Sequence, residues 1–201
     1  METSTTLILK SFNIDPDNLL APGRGRLLIA SPYLEDPYFN RSVILLCEHN
    51  EDGAFGFVLN RYIDLDLPDL LEKLPHSNSR VSLGGPVENN SLYYVHSLGD
   101  AIPGSQHIAG ELYLGGDFDI IVEGLKSGSI EQSRVRFFVG YSGWGEQQLE
   151  SEMEQRSWYV RELAELPLMD TERDDLWSIA LQGMGEPFST LANFPADPKL
   201  N

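Results

Sequence analysis

Apolar and polar residues follow one another along this chain in two rhythms, and the change from one to the other marks the elements. After the turn chemistry of Pro22-Gly23-Arg24-Gly25, the run Arg26-Leu27-Leu28-Ile29-Ala30 predicts a buried strand, closed by Ser31-Pro32. Asp36-Pro37-Tyr38-Phe39 makes a second turn. Ser42 to His49 is then too uniformly apolar to leave one face in water, so it predicts a strand covered on both sides. Asn50-Glu51-Asp52-Gly53 carries the chemistry of a tight hairpin, and Ala54 to Leu59 returns as the partner strand. The period then changes. Leu67, Leu70, Leu71 and Leu74 fall at i, i+3, i+4 and i+7 of a helix that Asp66 can cap, with Pro68 tolerated in its first turn.

The second half repeats this mixture. Val81-Ser82-Leu83 predicts a short strand running into Gly84-Gly85-Pro86, and Leu92 to His96 another. After a polar loop, Glu111 to Leu114 reads as strand and Gly115-Gly116 as turn. Asp117 caps a helix with the face Phe118, Ile121, Val122 and Leu125, and Gly128 stands near its end. Arg134 to Glu154 then begins as a strand, passes a turn with Gly140, Gly143 and Gly145, and leaves as a polar helix. Trp158-Tyr159-Val160 is a short strand, and Leu176, Trp177, Ala180, Leu181 and Met184 make a last amphipathic helix. Residues 1–20 are expected as a loose arm, 21–185 as a single domain, and 186–201, with Pro187, Pro195 and Pro198, as a surface tail. Strands and helices interleave irregularly and the hairpin requires antiparallel pairing, which predicts α+β rather than a doubly wound sheet.

Charge changes this picture more than composition does. The 201 residues are 41% apolar and 22% charged, ordinary for a globular protein, but 31 acidic against 14 basic residues give a formal charge of −17. Such a chain repels phosphate backbones, so binding to duplex nucleic acid is not expected. The densest basic groupings are the pairs Arg24 with Arg26 and Arg134 with Arg136. Between Tyr141 and Asp175, ten acidic and three basic residues make a face that is either merely solvated or meets a basic partner. The single cysteine, Cys47, excludes an internal disulfide, and its apolar neighbours favour a buried, inert thiol. No signal peptide or membrane span is read, so no membrane partner and a cytoplasmic location are expected.

The candidate chemistry gathers at Gly140-Tyr141-Ser142-Gly143-Trp144-Gly145. Glycines there would let backbone N–H groups approach an anionic ligand, with the following helix start adding its positive end. The bland alternative is a chain that only turns from strand to helix while Trp144 packs. The stretch is not a P-loop, which needs Gly-Lys-Ser/Thr, nor a nucleophile elbow, which needs a glycine two residues before the serine. Gly84, Gly85 and Pro86 would bring a second backbone segment to the same surface, or simply reverse the chain. Arg41 borders one buried strand and Arg136 lies inside another, so each must find a carboxylate or face a polar cleft. Cys47 and His49 share a strand face, but two ligands do not make a metal site, and no metal or cofactor is expected.

These motifs resemble the YqgE/AlgH family. The resemblance runs through Gly25-x-Leu27-Leu28-Ile29-Ala30-x-Pro32, Asp36-Pro37-x-Phe39-x-Arg41-Ser42-Val43 and Gly53-Ala54-x-Gly56-x-Val58-Leu59-Asn60. It continues in Gly84-Gly85-Pro86-Val87 and Arg136-x-Phe138-x-Gly140-Tyr141-x-Gly143-Trp144-Gly145. Departures are Ser142, where the family usually has Ala, and Glu146-Gln147, where it usually has Pro-Gly. The resemblance implies a single α+β domain with a mixed, branched and partly barrel-like sheet flanked by helices. Some members of that largely uncharacterised family are described as transcriptional regulators, and it carries no catalytic residues over. The expectation is a non-enzymatic binding or regulatory protein with a protein or small-molecule partner. The alternative is an enzyme acting on a small polar or anionic substrate near Gly140–Gly145.

Overall fold

In the computed structural model, which describes residues 20–163, 166–186 and 188–193, the described chain forms ten strands and five helices. The strands are β1 (Leu27–Ala30), β2 (Val43–Asn50), β3 (Gly53–Val58), β4 (Tyr62–Ile63), β5 (Val81–Leu83), β6 (Val87–His96), β7 (Gln106–Ala109), β8 (Leu112–Leu114), β9 (Val135–Trp144) and β10 (Trp158–Arg161). The helices are α1 (Leu67–Leu70), α2 (Phe118–Ser127), α3 (Gln148–Glu154), α4 (Leu176–Gln182) and α5 (Phe188–Leu191). Strand order along the sheet is β10-β1-β2-β3-β9-β6-β8-β7, with β4 and β5 branching from β9. Only the β5–β9 pair is parallel, so the sheet is mixed as well as branched. The uniformly apolar strands sit at its centre, where both faces are covered.

The sheet is open, but it curls until its edges approach. A Cβ at Gly25, just before β1, would lie 2.4 Å from the Cβ of Ala109 in β7, and Arg24 donates to the His107 carbonyl. Inside the curl, Leu27, Ile29, Leu45, Phe57, Phe138 and Tyr159 form the main core, closed at one side by Leu176, Trp177 and Leu181 of α4. Each such aliphatic or aromatic side chain contributes about 1.5–3 kcal/mol through burial. A second core lies on the other face of β1–β3 beneath α3, and a third lies between β6, β9 and α2. α2 behaves as its sequence predicts: Asp117 accepts from the N–H groups of Asp119 and Ile120, and Gly128 ends it in the left-handed region at φ 74°.

Several elements depart from expectation. α1 stops at Leu70, although Leu74 is still buried at 3% exposure, because a helix continuing through Pro75 would press the proline ring on the Leu71 carbonyl. The loop read after His96 contains β7, which pairs with β8, and β4 pairs with β5. The expected surface tail instead turns inward at 188–193, where Phe188, Leu191 and Ala192 are buried against the main core. The N-terminal arm up to residue 19 and the tail from residue 194 lie outside the described residues.

Candidate functional site

The glycine-rich stretch is not a turn from strand into helix. β9 runs unbroken through Trp144, and Gly140 sits inside it at φ 68°, a conformation that disfavours any residue with a Cβ. The consequence is a change of face. Phe138 and Tyr141 both point to the main core, although an offset of three would put them on opposite faces of a straight strand. Before Gly140, β9 pairs with β6 and β5; after it, β6 keeps only the Val87–Tyr141 pair and residues 142–144 pair with β3. Gly140 is therefore the branch point of the sheet.

Gly84 and Gly85 are the other half of that branch. The Gly84 N–H donates to Val139 O at 2.8 Å, while its carbonyl accepts from Val58 N at 2.9 Å and from Ser142 Oγ at 3.0 Å. A Cβ at Gly84 would stand 2.2 Å from Gly140 O, and one at Gly85 2.3 Å from Tyr141 O. The structure thus brings Gly84 and Gly85 together with Gly140, Tyr141 and Ser142, but by pressing backbones into contact. Pro86, Gly143 and Gly145 remain exposed around the crossing. The Gly145 N–H is taken by Gln148 Oε1 at 3.1 Å, so the start of α3 offers it to no ligand.

Trp144 and Arg136 are also committed inward. Trp144 is 5% exposed, packs 6.2 Å from Phe39 and 6.1 Å from Trp158, and donates its indole N–H to Glu152 Oε2 at 2.9 Å. The same oxygen accepts from Trp158 Nε1 at 2.7 Å, so one carboxylate orients both indoles. Arg136 is 2% exposed and finds neither of the partners expected for it. It donates to the carbonyls of Leu59 and Leu168 and to Ser82 Oγ, and it joins no ion pair among the described residues. Burial lowers its pKa, but three acceptors on three segments hold the guanidinium in place. Arg41 lies over Trp177 at 4.5 Å from the ring centroid, and burial lowers its pKa too. Neither arginine lines the cleft at Gly143 and Trp144 or the cavity at Gly85.

What stands open beside the stretch is a shallow cleft of about 480 Å³, made where the β2–β3 hairpin meets the end of β9. Ala54 pairs with Trp144 and Phe55 with Gly143, which sets Glu48, Asn50 and Asp52 opposite Tyr141, Gly143 and Trp144. Phe55 and Tyr141 meet edge to face at 5.9 Å, and Tyr93 continues the aromatic row 5.8 Å beyond Tyr141. Burial, with the Glu88 carboxylate accepting its hydroxyl proton at 2.5 Å, pushes the Tyr93 pKa up to about 12. Glu48 accepts from Asn50 Nδ2 at 2.6 Å. The cleft therefore combines aromatic walls with carboxylates, which opposes an anion and suits a cation. In the sequence Asp52 belongs to the hairpin turn and Glu48 to the end of an apolar strand, and neither stands out as a binding residue. Nothing local signals that a long-range β3–β9 ladder delivers them here.

Cys47, His49 and His96 are in structural use. Cys47 is 3% exposed and its thiol pKa is pushed well up by burial. His49 is held by Glu150 at 2.8 Å. His96, fully buried, accepts from Leu98 N–H on Nδ1 at 3.2 Å, so the proton sits on Nε2, 3.0 Å from Gly115 O. Burial depresses its pKa. Among the described residues no three His, Cys, Asp or Glu side chains gather as a metal site, and no helix is long and apolar enough to cross a membrane.

Comparison with known proteins fits this geometry. A family model described as AlgH-like matches residues 27–189. A UPF0301 protein of Cytophaga hutchinsonii is 42% identical over 179 residues, covering 89% of this chain and 98% of its own. One of Bacteroides thetaiotaomicron is 37% identical over 191 residues, covering 94% and 96%. The crystal structure of a Corynebacterium diphtheriae protein matches with a TM-score of 0.75 at 25% identity, over 92% of this chain and 97% of the other. The solution structure of the AlgH protein from Pseudomonas aeruginosa matches at 0.68 and 28% identity, over 88% and 97%.

Proposed function

The chain belongs to the AlgH-like family, and we propose that it works there as a non-enzymatic binding protein, regulating through a protein or small-molecule partner rather than by gripping duplex DNA. The observation that carries this reading is the cleft of Glu48, Asp52, Phe55, Tyr141 and Trp144. Aromatic rings and carboxylates together favour an ammonium or guanidinium group, through cation–π attraction and charge-assisted hydrogen bonds. The ligand is accordingly a cationic small molecule or a basic side chain of a partner protein. The same carboxylates weigh against an anionic substrate at Gly140–Gly145. The charge of −17 weighs against phosphate backbones, and Arg26 of the basic pair near β1 is already tied to Glu162 at 3.2 Å.

Argininamide serves as the probe. Titrated into isotope-labelled protein, it should shift the amides of residues 48–55 and 141–145 saturably, and the Glu48→Gln/Asp52→Asn double variant should lose that response while keeping its unfolding midpoint. Weak shifts spread over the whole acidic surface, equal in the variant, would show that the cleft is no binding site.

A further inference from the structure

A second opening, more enclosed than the hairpin cleft, lies beside the branch point. It is a cavity of about 250 Å³ lined by Pro37, Tyr38, Val58, Arg61, Leu83 and Gly85. In a chain of net charge −17 its lining holds one cation, Arg61, and no carboxylate among the described residues. The neighbouring clefts are the reverse, with Glu48 and Asp52 in one and Asp64, Asp66 and Asp69 in another.

The cavity is built before any ligand arrives. The Arg61 carbonyl accepts from Leu83 N–H at 2.8 Å, which fixes its backbone against β5. Its Nη2 donates to Asn40 O, and it joins no ion pair among the described residues, so most of its five donors are left for a guest. The opposite wall is set by Asp36, whose Oδ1 accepts from Tyr38 N at 2.8 Å and Phe39 N at 3.0 Å. That oxygen is thereby engaged by the loop backbone. Val58, 1% exposed, forms an apolar floor with Leu83, and Tyr38, 57% exposed, stands at the rim.

A guanidinium with free donors beside Pro37, Val58 and Leu83 recognises two properties at once: a planar anion and an apolar body. We propose that this cavity is a binding site for a small monocarboxylate with an apolar body. Its carboxylate pairs with Arg61, and its body lies against Val58 and Leu83 with Tyr38 as the outer wall. The volume, below the roughly 300–1,000 Å³ of drug-sized ligand pockets, restricts the guest to a compact acid. The site is distinct from the acidic hairpin cleft, and either can fail without the other.

The test uses benzoate, its neutral counterpart benzamide, and inorganic phosphate, each titrated into the labelled full chain. Benzoate should bind saturably, shifting the amides of Tyr38, Val58, Arg61 and Gly85, with benzamide and phosphate at least about tenfold weaker. Arg61→Gln should weaken benzoate by about tenfold or more, and Tyr38→Ala, at an exposed rim position that does not threaten folding, should weaken it severalfold. Absence of saturable benzoate binding overturns the proposal. So does equal affinity for benzamide or phosphate, or a response that maps away from these four residues. If Arg61→Gln does not fold, an unchanged benzoate affinity in Tyr38→Ala overturns it.

Discussion

The backbone crossing of Gly84, Gly85 and Gly140 and the cavity of Tyr38 and Arg61 share Gly85, yet they are built by opposite rules. At the crossing, side chains are missing because three segments of main chain occupy the same space, and the polar groups there are satisfied within the protein. At the cavity, a side chain is present with donors to spare, beside an opening of about 250 Å³. A glycine-rich motif can look the same in either situation. The lesson is that clustered glycines report backbone crowding first, and that a binding surface belongs to the residues flanking the crowd.

This contrast can be broken most severely at Trp144. If it belongs to the sealed region, Trp144→Ala should cost about 3–5 kcal/mol in chemical denaturation, as core aromatic deletions do. A loss below about 1 kcal/mol would move Trp144 to the open side and restore it as a ligand wall. Gly84→Ala comes next. A methyl group 2.2 Å from the Gly140 carbonyl has to displace backbone, so a loss of about 3 kcal/mol is expected. Tyr38→Ala across the cavity should stay within about 0.5 kcal/mol. Equal losses at the two positions would erase the distinction.

The smallest effect is a pH dependence in the sealed third core. His96 is buried neutral and its folded pKa lies below the ordinary value of 6.5. Below that value the unfolded chain binds a proton that the folded chain refuses. Stability is therefore fully present above about pH 6.5 and declines as pH falls toward the folded pKa. His96→Gln should flatten that decline in a series of denaturation curves between pH 7 and pH 5. An unchanged slope would assign the acid sensitivity to other groups.

Much of the fold is legible in the sequence because the signals are local. Val43–Cys47 is apolar enough to need cover on both faces, and Asp117 and Gly128 bracket α2 with their own cap chemistry. The pairing of β2 with β3 is likewise written in the hairpin residues between them. What escaped is set by distant partners. β4 is two residues long and exists because Ser82 and Val81 pair with it. Arg136 reads in the sequence as bound for a carboxylate or a polar cleft, and instead meets the carbonyls of Leu59 and Leu168, which no spacing rule reveals. Tyr141, Gly143 and Trp144, singled out by their glycine-rich setting, do line the cleft. Glu48 and Asp52 are not legible as their neighbours, because hairpin and strand meet only through tertiary pairing.

The position of β1 has a consequence in time rather than in space. β1 lies between β2, which follows closely, and β10, whose Arg161 pairs with Leu27 across 134 residues of chain. A ribosome adding about 5–20 residues per second needs roughly 7–27 s to make that interval. Throughout it, Leu27-Leu28-Ile29-Ala30 presents an unpaired apolar edge, the kind on which nascent chains aggregate. The Leu27–Arg161 ladder also encloses a loop that is entropically costly to close and contributes nothing until it forms. Slow elongation between Ala30 and Trp158 therefore lengthens the time for which that edge of β1 lacks its partner.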